Sequence, residues 1–113
     1  MPRKISFFYT QNQIRNKSKT VTRRLGWWNV YPGEILDAVE KGQGLKKGEK
    51  MINICQIRVI SAQMERLIKI SKEDVAKEGY PDMDESEFIE RFCNMNKMCT
   101  PNTYINRIEF EYI

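Results

Sequence analysis

Two stretches of this chain alternate apolar and polar side chains over most of their length, Met51 to Met64 and Tyr104 to Ile113. A period of two marks an extended strand with one buried face. Two long strands in a chain of 113 residues commit most of its core to a sheet. In the first stretch the apolar members are Ile52, Ile54, Ile57, Val59 and Ile60. Their phase slips between Ile54 and Ile57, which predicts a bulge or bend of the kind that curves barrels. In the second, Tyr104, Ile108, Phe110 and Tyr112 fall on one face, and Arg107, Glu109 and Glu111 on the other.

The remaining elements are short. Residues 3–9 read as a strand rich in Ile, Phe and Tyr. Thr10 and Gln13 match a capping box, predicting a short helix over 11–17. Lys19 to Arg24 has two threonines around a valine and reads as extended. Tyr31-Pro32-Gly33-Glu34 is a turn leading into a strand over 35–39. Ser71 with acids behind it opens a helix that Gly79 stops, and Asp84 opens another whose Phe88, Ile89 and Phe92 share an inward stripe. About five strands and two or three short helices, not regularly interleaved, exclude a doubly wound parallel sheet. The expected fold is α+β: one domain over residues 1–113, a small, mostly antiparallel barrel with helices at one side.

Composition narrows the chemistry. The chain has no histidine, so catalytic triads, Cys-His dyads and His-ligated metal sites are excluded. Proton transfer must fall to Lys, Glu, Asp, Tyr, Cys or a backbone group. The three cysteines, Cys55, Cys93 and Cys99, are an odd number and one ligand short of a structural zinc site, so they read as small apolar residues. No metal and no cofactor is expected. With no leader pattern and no apolar run of membrane-spanning length, the expectation is a cytoplasmic protein, monomeric or a weak dimer. Gly42, Gly44 and Gly48 miss the spacing of a dinucleotide fingerprint and lack the end of a P-loop, so they predict a flexible hairpin loop. Glu85, Glu87 and Glu90 read as a solvated acidic face.

Charge is segregated. Residues 1–33 carry seven basic side chains and no acid, whereas the rest of the chain sums to −3. Such a one-sided field gathers anions, phosphate backbones foremost among them. Arg15, Lys17, Lys19, Arg23, Arg24 and the neighbouring Trp27 are the candidate contacts. Phe7, Phe8, Tyr9, Trp28 and Tyr31 lie in the same segment, most of them expected in the core. Within the segment, Lys19 and Thr22 stand close together, and repulsion from Arg23 and Arg24 favours a neutral Lys19 amine able to take a hydroxyl proton. Glu78 joins them only if the fold brings its helix end near. On residues alone, the same pattern is that of an ordinary strand.

The stretch Ile14 to Arg24, followed by Tyr31-Pro32-Gly33-Glu34-Ile35-Leu36, resembles the first half of an ASCH domain, with its K-T-x-T-x-R strand and P-G-D/E turn. Ile70 to Gly79 resembles the I-T-x-E-D-A-x-x-E-G helix of that family, and Asn106 to Tyr112 its last strand. The overall flavour is that of small ASCH proteins carried by phages or prophages. The resemblance implies a PUA-like β-barrel and an RNA-binding module whose cleft is floored by the K-T-x-T-x-R segment. RNA or a modified nucleoside is then the expected partner. One branch of the family is an amidohydrolase that deacetylates acetylated cytidine. Its proton acceptor, nucleophile and proton donor fall on Lys19, Thr22 and Glu78, and its basic residue beyond the threonine on Arg24. This chain departs from that branch in Arg23, in the Trp27-Trp28 pair and in the longer loop over 42–50. A phage factor that grips a host protein is a third expectation, carried by small size alone.

Overall fold

The structure, a computed structural model describing every residue except Gln43, is built on one five-stranded sheet in the order β1-β3-β4-β5-β2. The strands are β1 (Arg3–Ser6), β2 (Val21–Arg24), β3 (Ile35–Val39), β4 (Asn53–Arg66) and β5 (Tyr104–Tyr112). Three helices, α1 (Gln11–Arg15), α2 (Lys72–Lys77) and α3 (Glu85–Met95), complete the fold. The sheet is the expected small α+β, PUA-like half-barrel, with the pairings of β3 with β4, β4 with β5 and β5 with β2 antiparallel. The pairing of β1 with β3 is parallel, with Arg3 opposite Leu36 and Ser6 opposite Val39. The edge strands β1 and β2 share no ladder, so the curled sheet stays open along one seam.

Curvature comes from β4, but its bulges flank the predicted slip. Ala38 pairs with Cys55 and Val39 with Asn53, which makes Ile54 an extra residue. Val59 pairs with Phe110 and Ser61 with Glu109, so Ile60 is the second. Each extra residue bends the strand and raises its twist. β4 and β5 are thereby long enough to serve two cores. The first holds Ile5, Phe7, Ile14, Leu36, Ile57, Val59, Ile108 and Phe110 inside the curl. The second packs Leu67, Ile70 and Ile105 against Val75 and Phe88 of the helices. Tyr104 therefore does not share the inward face of β5: it is exposed, and Ile105 is buried in its place.

Helix boundaries follow their caps. Ser71 accepts from the Asp74 N–H to start α2, and Asp84 and Glu87 form a reciprocal capping box that starts α3. The box expected at Thr10 is absent, because Phe8–Thr10 forms a tight helical turn and Thr10 makes no side-chain cap. That turn also ends β1 at Ser6. α1 stops at Arg15, as Lys17 takes a left-handed conformation (φ 64°). The Gly42–Gly48 loop joins the antiparallel neighbours β3 and β4 as expected of a hairpin connection, with Gln43 outside the described residues. Among the described residues no helix is long and apolar enough to cross a membrane.

Candidate functional site

Alternation along β2 puts Thr22 and Arg24 on one face and Arg23 on the other. On the Arg23 face, Arg107 of β5 lies directly opposite, a like-charge pair that is unfavourable in isolation. Asp74 removes the conflict. It accepts from Arg107 Nε (2.6 Å) and Nη2 (3.1 Å), and from Arg23 Nη2 (2.6 Å). Arg107 above all, with Arg23, holds the Asp74 carboxyl well below its usual range, at about 2, against the opposing pull of burial. Arg23 also donates to Glu65 Oε1 (2.7 Å) and Glu78 Oε2 (3.2 Å). Its side chain is 1% exposed. Arg23, expected to contact a ligand, is thus held by three carboxylates, although one edge of it reaches the cavity described below.

Asp74 and Glu78 are four residues apart and point from one face of α2. The N–H of Thr20 binds the Lys77 carbonyl (2.8 Å), so the entry to β2 is tied to the end of α2. The Lys19 amine then reaches the Glu78 main-chain carbonyl (2.7 Å) and Oε1 (2.8 Å). A helix C-terminus, with unpaired carbonyls and partial negative charge, is a natural seat for a cation. Gly79 lets α1 pack close against the end of α2. Its φ is +106°, and a Cβ there would lie 2.7 Å from Gln13 Cγ of α1. Lys19 and Glu78, remote in sequence, are therefore in direct contact and almost fully buried, as the sequence reading required.

Burial, more than any neighbouring charge, pushes the Lys19 amine below the ordinary lysine value. Glu78 opposes that shift, and Arg24 and Arg23 add to it least. Arginine repulsion, the expected cause, is therefore the minor one. In its neutral form the amine has two N–H groups and one lone pair. Both N–H groups are matched by the two Glu78 oxygens, which leaves the lone pair free. Tyr112, whose hydroxyl is pushed up by burial, donates to the Lys19 carbonyl (2.6 Å) and fixes the backbone beneath it. Thr22 Oγ1 accepts from Arg24 Nε (3.0 Å), a charged donor that favours an anionic oxygen there. Arg24 also donates to the Ser6 carbonyl (2.6 Å), spanning the open seam, and lies 4.9 Å from the Phe7 ring centre. Burial pulls its guanidinium down to about 10, leaving it cationic at neutral pH.

Lys19, Thr22, Arg24 and Glu78 line a cavity of about 790 Å³ at the seam, roofed by α3. Its volume suits a nucleotide-sized ligand. Six of its lining side chains are of basic type, Lys4, Lys19, Arg23, Arg24, Lys41 and Arg91, against one acid, Glu78, among the described residues. Trp27 also lines it, from a left-handed backbone (φ 57°) pinned by Asn106 Nδ2 on its carbonyl (2.8 Å). A bulky residue in that region is strained, and such strain gathers at ligand sites. The Trp27 ring is half-buried against the first core, with Arg3 over it at 5.0 Å.

Arg15 and Lys17 are not part of this lining. Arg15 pairs with Glu40, and Lys17 is exposed at the end of α1. The aromatic residues also differ from expectation: Phe7 is in the core, but Phe8, Tyr9, Trp28 and Tyr31 are exposed. They sit in turns, where no second layer covers them. Phe8 and Tyr9 stand at the cavity. Sequence reasoning missed Asp74, Glu65, Arg107, Tyr112 and Arg91. The spacing of Asp74 and Glu78 on a capped helix was the one available signal.

No family model matches the chain, and no curated protein matches it. Solved structures do, among them the following two. A protein of Enterococcus faecalis, of the DUF984 family model, superposes with a TM-score of 0.67 at 14% identity, covering 100% of this chain and 77% of that one. An ASCH domain from Lactobacillus crispatus superposes with a TM-score of 0.60 at 15% identity, covering 97% of this chain and 79% of that one. The fold is that of an ASCH domain. The resemblance drawn from the K-T-x-T-x-R strand and the α2 motif is matched by the architecture as a whole.

Proposed function

We propose that the ASCH-like cavity binds RNA, one nucleotide unit at a time, or a modified nucleoside. The observation that carries this reading is a nucleotide-sized hollow into which Arg24 and Arg91, neither of them paired with a carboxylate among the described residues, both project, with exposed aromatic rings beside them. Cations draw the phosphates, and Phe8 and Tyr9 offer faces for a base. Lys19 and Glu78 form a rigid polar floor that can read the edge of a base with donor and acceptor groups. Titration of fluorescein-labelled single-stranded RNAs at several salt concentrations tests the reading. Binding should weaken with log[salt], with a slope of about 0.7 for each phosphate engaged. Absence of binding at low salt, or affinity indifferent to salt, overturns it.

A second reading, amide hydrolysis, is favoured by the pairing of Lys19 with Glu78 and of Thr22 with Arg24. The lone pair of a neutral Lys19 takes the Thr22 hydroxyl proton as Oγ1 adds to an amide carbonyl. Collapse of the tetrahedral adduct breaks the C–N bond and leaves an acyl ester on Thr22. Glu78 was the expected proton donor to the leaving amine, but both its oxygens already accept hydrogen bonds, from Lys19 and Arg23. The ammonium formed on Lys19 is the more direct source of that proton. Water then cleaves the ester and restores the hydroxyl. Chromatography of acetylcytidine incubations decides the matter: Thr22→Ala and Lys19→Ala should lose about 10²–10⁴ in rate, and a wild type no faster than buffer rejects the reading.

A further inference from the structure

The cations of the cavity are not equivalent. Arg23 is held by three carboxylates, and Arg24 by the Thr22 hydroxyl and the Ser6 carbonyl. Lys19 is held by Glu78. Lys4 lies 3.6 Å from Asp37, and Lys41 3.9 Å from Glu49. Arg91 alone among the described lining cations has neither a hydrogen bond nor an ion pair; its Nε, like that of Arg23, is shut away from solvent without a partner. It projects from α3, the helix that roofs the cavity. Its guanidinium lies near two rings, 5.9 Å from the centre of Tyr9 and 5.4 Å from that of Tyr80.

Two aromatic neighbours attract a guanidinium without satisfying its N–H groups, which leaves its fork of donors available. The terminal nitrogens of Arg91 are neither hydrogen-bonded nor closed off, so their donors are open to an arriving oxyanion. The geometry of a guanidinium fork matches two oxygens of one phosphate. We propose that Arg91 is the phosphate anchor of the cavity, so that the ligand is a nucleotide carrying its phosphate and not a bare nucleoside. This inference rests on the nucleotide-binding reading above, and it selects between the ligand classes that reading leaves open. Tyr9 and Tyr80 are positioning residues for the anchor.

The test compares binding of the common ribonucleosides and their 5′-monophosphates by calorimetry, on the wild type, Arg91→Gln and Arg91→Lys. The monophosphate should bind wild type about tenfold to a hundredfold more tightly than its nucleoside, from charge-assisted hydrogen bonds. That advantage should collapse in Arg91→Gln and return only in part in Arg91→Lys, which keeps the charge but loses the fork. Thermal melts of both variants establish that they are folded. If nucleoside and monophosphate bind the wild type equally, the anchor is refuted while nucleoside binding stands. If the advantage persists in Arg91→Gln, the phosphate sits elsewhere and the anchor is refuted. If neither class binds, the nucleotide reading falls and the anchor with it.

Discussion

Replacing Glu78 by glutamine removes one charge and leaves the shape of the side chain nearly unchanged. The carboxylate lies between Lys19 and Arg23, and the three side chains are 4%, 4% and 1% exposed. Breaking a buried ion pair from one side costs roughly 3–5 kcal/mol, because the remaining charge is left uncompensated. Here the lower end applies. Arg23 keeps Asp74 and Glu65, and Lys19 keeps the Glu78 carbonyl and can lose its proton. At ~2.1 cal/mol/K per residue, a chain of this size has an unfolding entropy of about 0.24 kcal/mol/K, so ~3 kcal/mol lowers Tm by about 13 °C. Circular dichroism melts at neutral pH, with urea titrations to check that the m-value is unchanged, measure it. Lys19→Met in the same background supplies the partner test: the double variant should lose at least ~1 kcal/mol less than the two single losses together. A Glu78→Gln loss below ~1 kcal/mol, or strict additivity, refutes the claim that this triad is a buried, interdependent unit.

Three further outcomes follow from the same geometry. Asp74 has its carboxyl held at about 2, first by its hydrogen bond from Arg107, below an unfolded value near ~3.9. Its contribution is complete above the unfolded value and disappears as pH falls toward the folded one, so about 1–2 kcal/mol after solvent screening should be lost between roughly pH 4 and 2. Melts across that range should show a shallower acid limb in Asp74→Asn, and an unchanged limb contradicts the assignment. Gly79→Ala meets both a left-handed backbone and Gln13, and should cost about 1–3 kcal/mol in urea titrations. Adding Gln13→Ala should relieve the 2.7 Å contact at Cγ but not the 3.0 Å one at Cβ, and it forfeits the Gln13 hydrogen bond to the Gly79 carbonyl, so recovery should be partial; full recovery means that backbone strain is not involved. Tyr112→Phe removes the hydrogen bond on the Lys19 carbonyl and should cost about 1 kcal/mol, and a neutral result shows that this contact does not hold Lys19 in place.

What the sequence made legible was local. β3 ran over 35–39 because the Pro-Gly turn before it fixed its start, and α2 began directly after Ser71 because the cap is written in consecutive residues. The meeting of Lys19, Thr22 and Glu78 at one cavity was legible only through the order of the ASCH-like motifs. The parallel pairing of β1 with β3 was not, since strand partners are set by long-range packing that leaves no mark within a segment. The same holds for the Arg23 network. Nothing near Arg23 in sequence announces Glu65, Asp74 or Glu78 as its partners, so an arginine in a basic run looked free when it was not. Arg91 was overlooked for the converse reason. It lies among the acidic residues of α3, yet the fold turns it into the cavity, away from those acids.

The account as a whole requires a ligand to enter the seam cavity and not to lie across the surface at Arg15 and Lys17. The most direct measurement is a heteronuclear NMR titration of the labelled protein with cytidine 5′-monophosphate, with the two tryptophan indole signals assigned by Trp28→Phe. Trp27 lines the cavity, whereas Trp28 is exposed and outside its lining. The predicted result is saturable shifts at the Trp27 indole and at the backbone amides of Thr22, Arg24 and Gly79, with the Trp28 indole unmoved. Shifts confined to Arg15, Lys17 and their neighbours, with the cavity signals silent, would contradict the account.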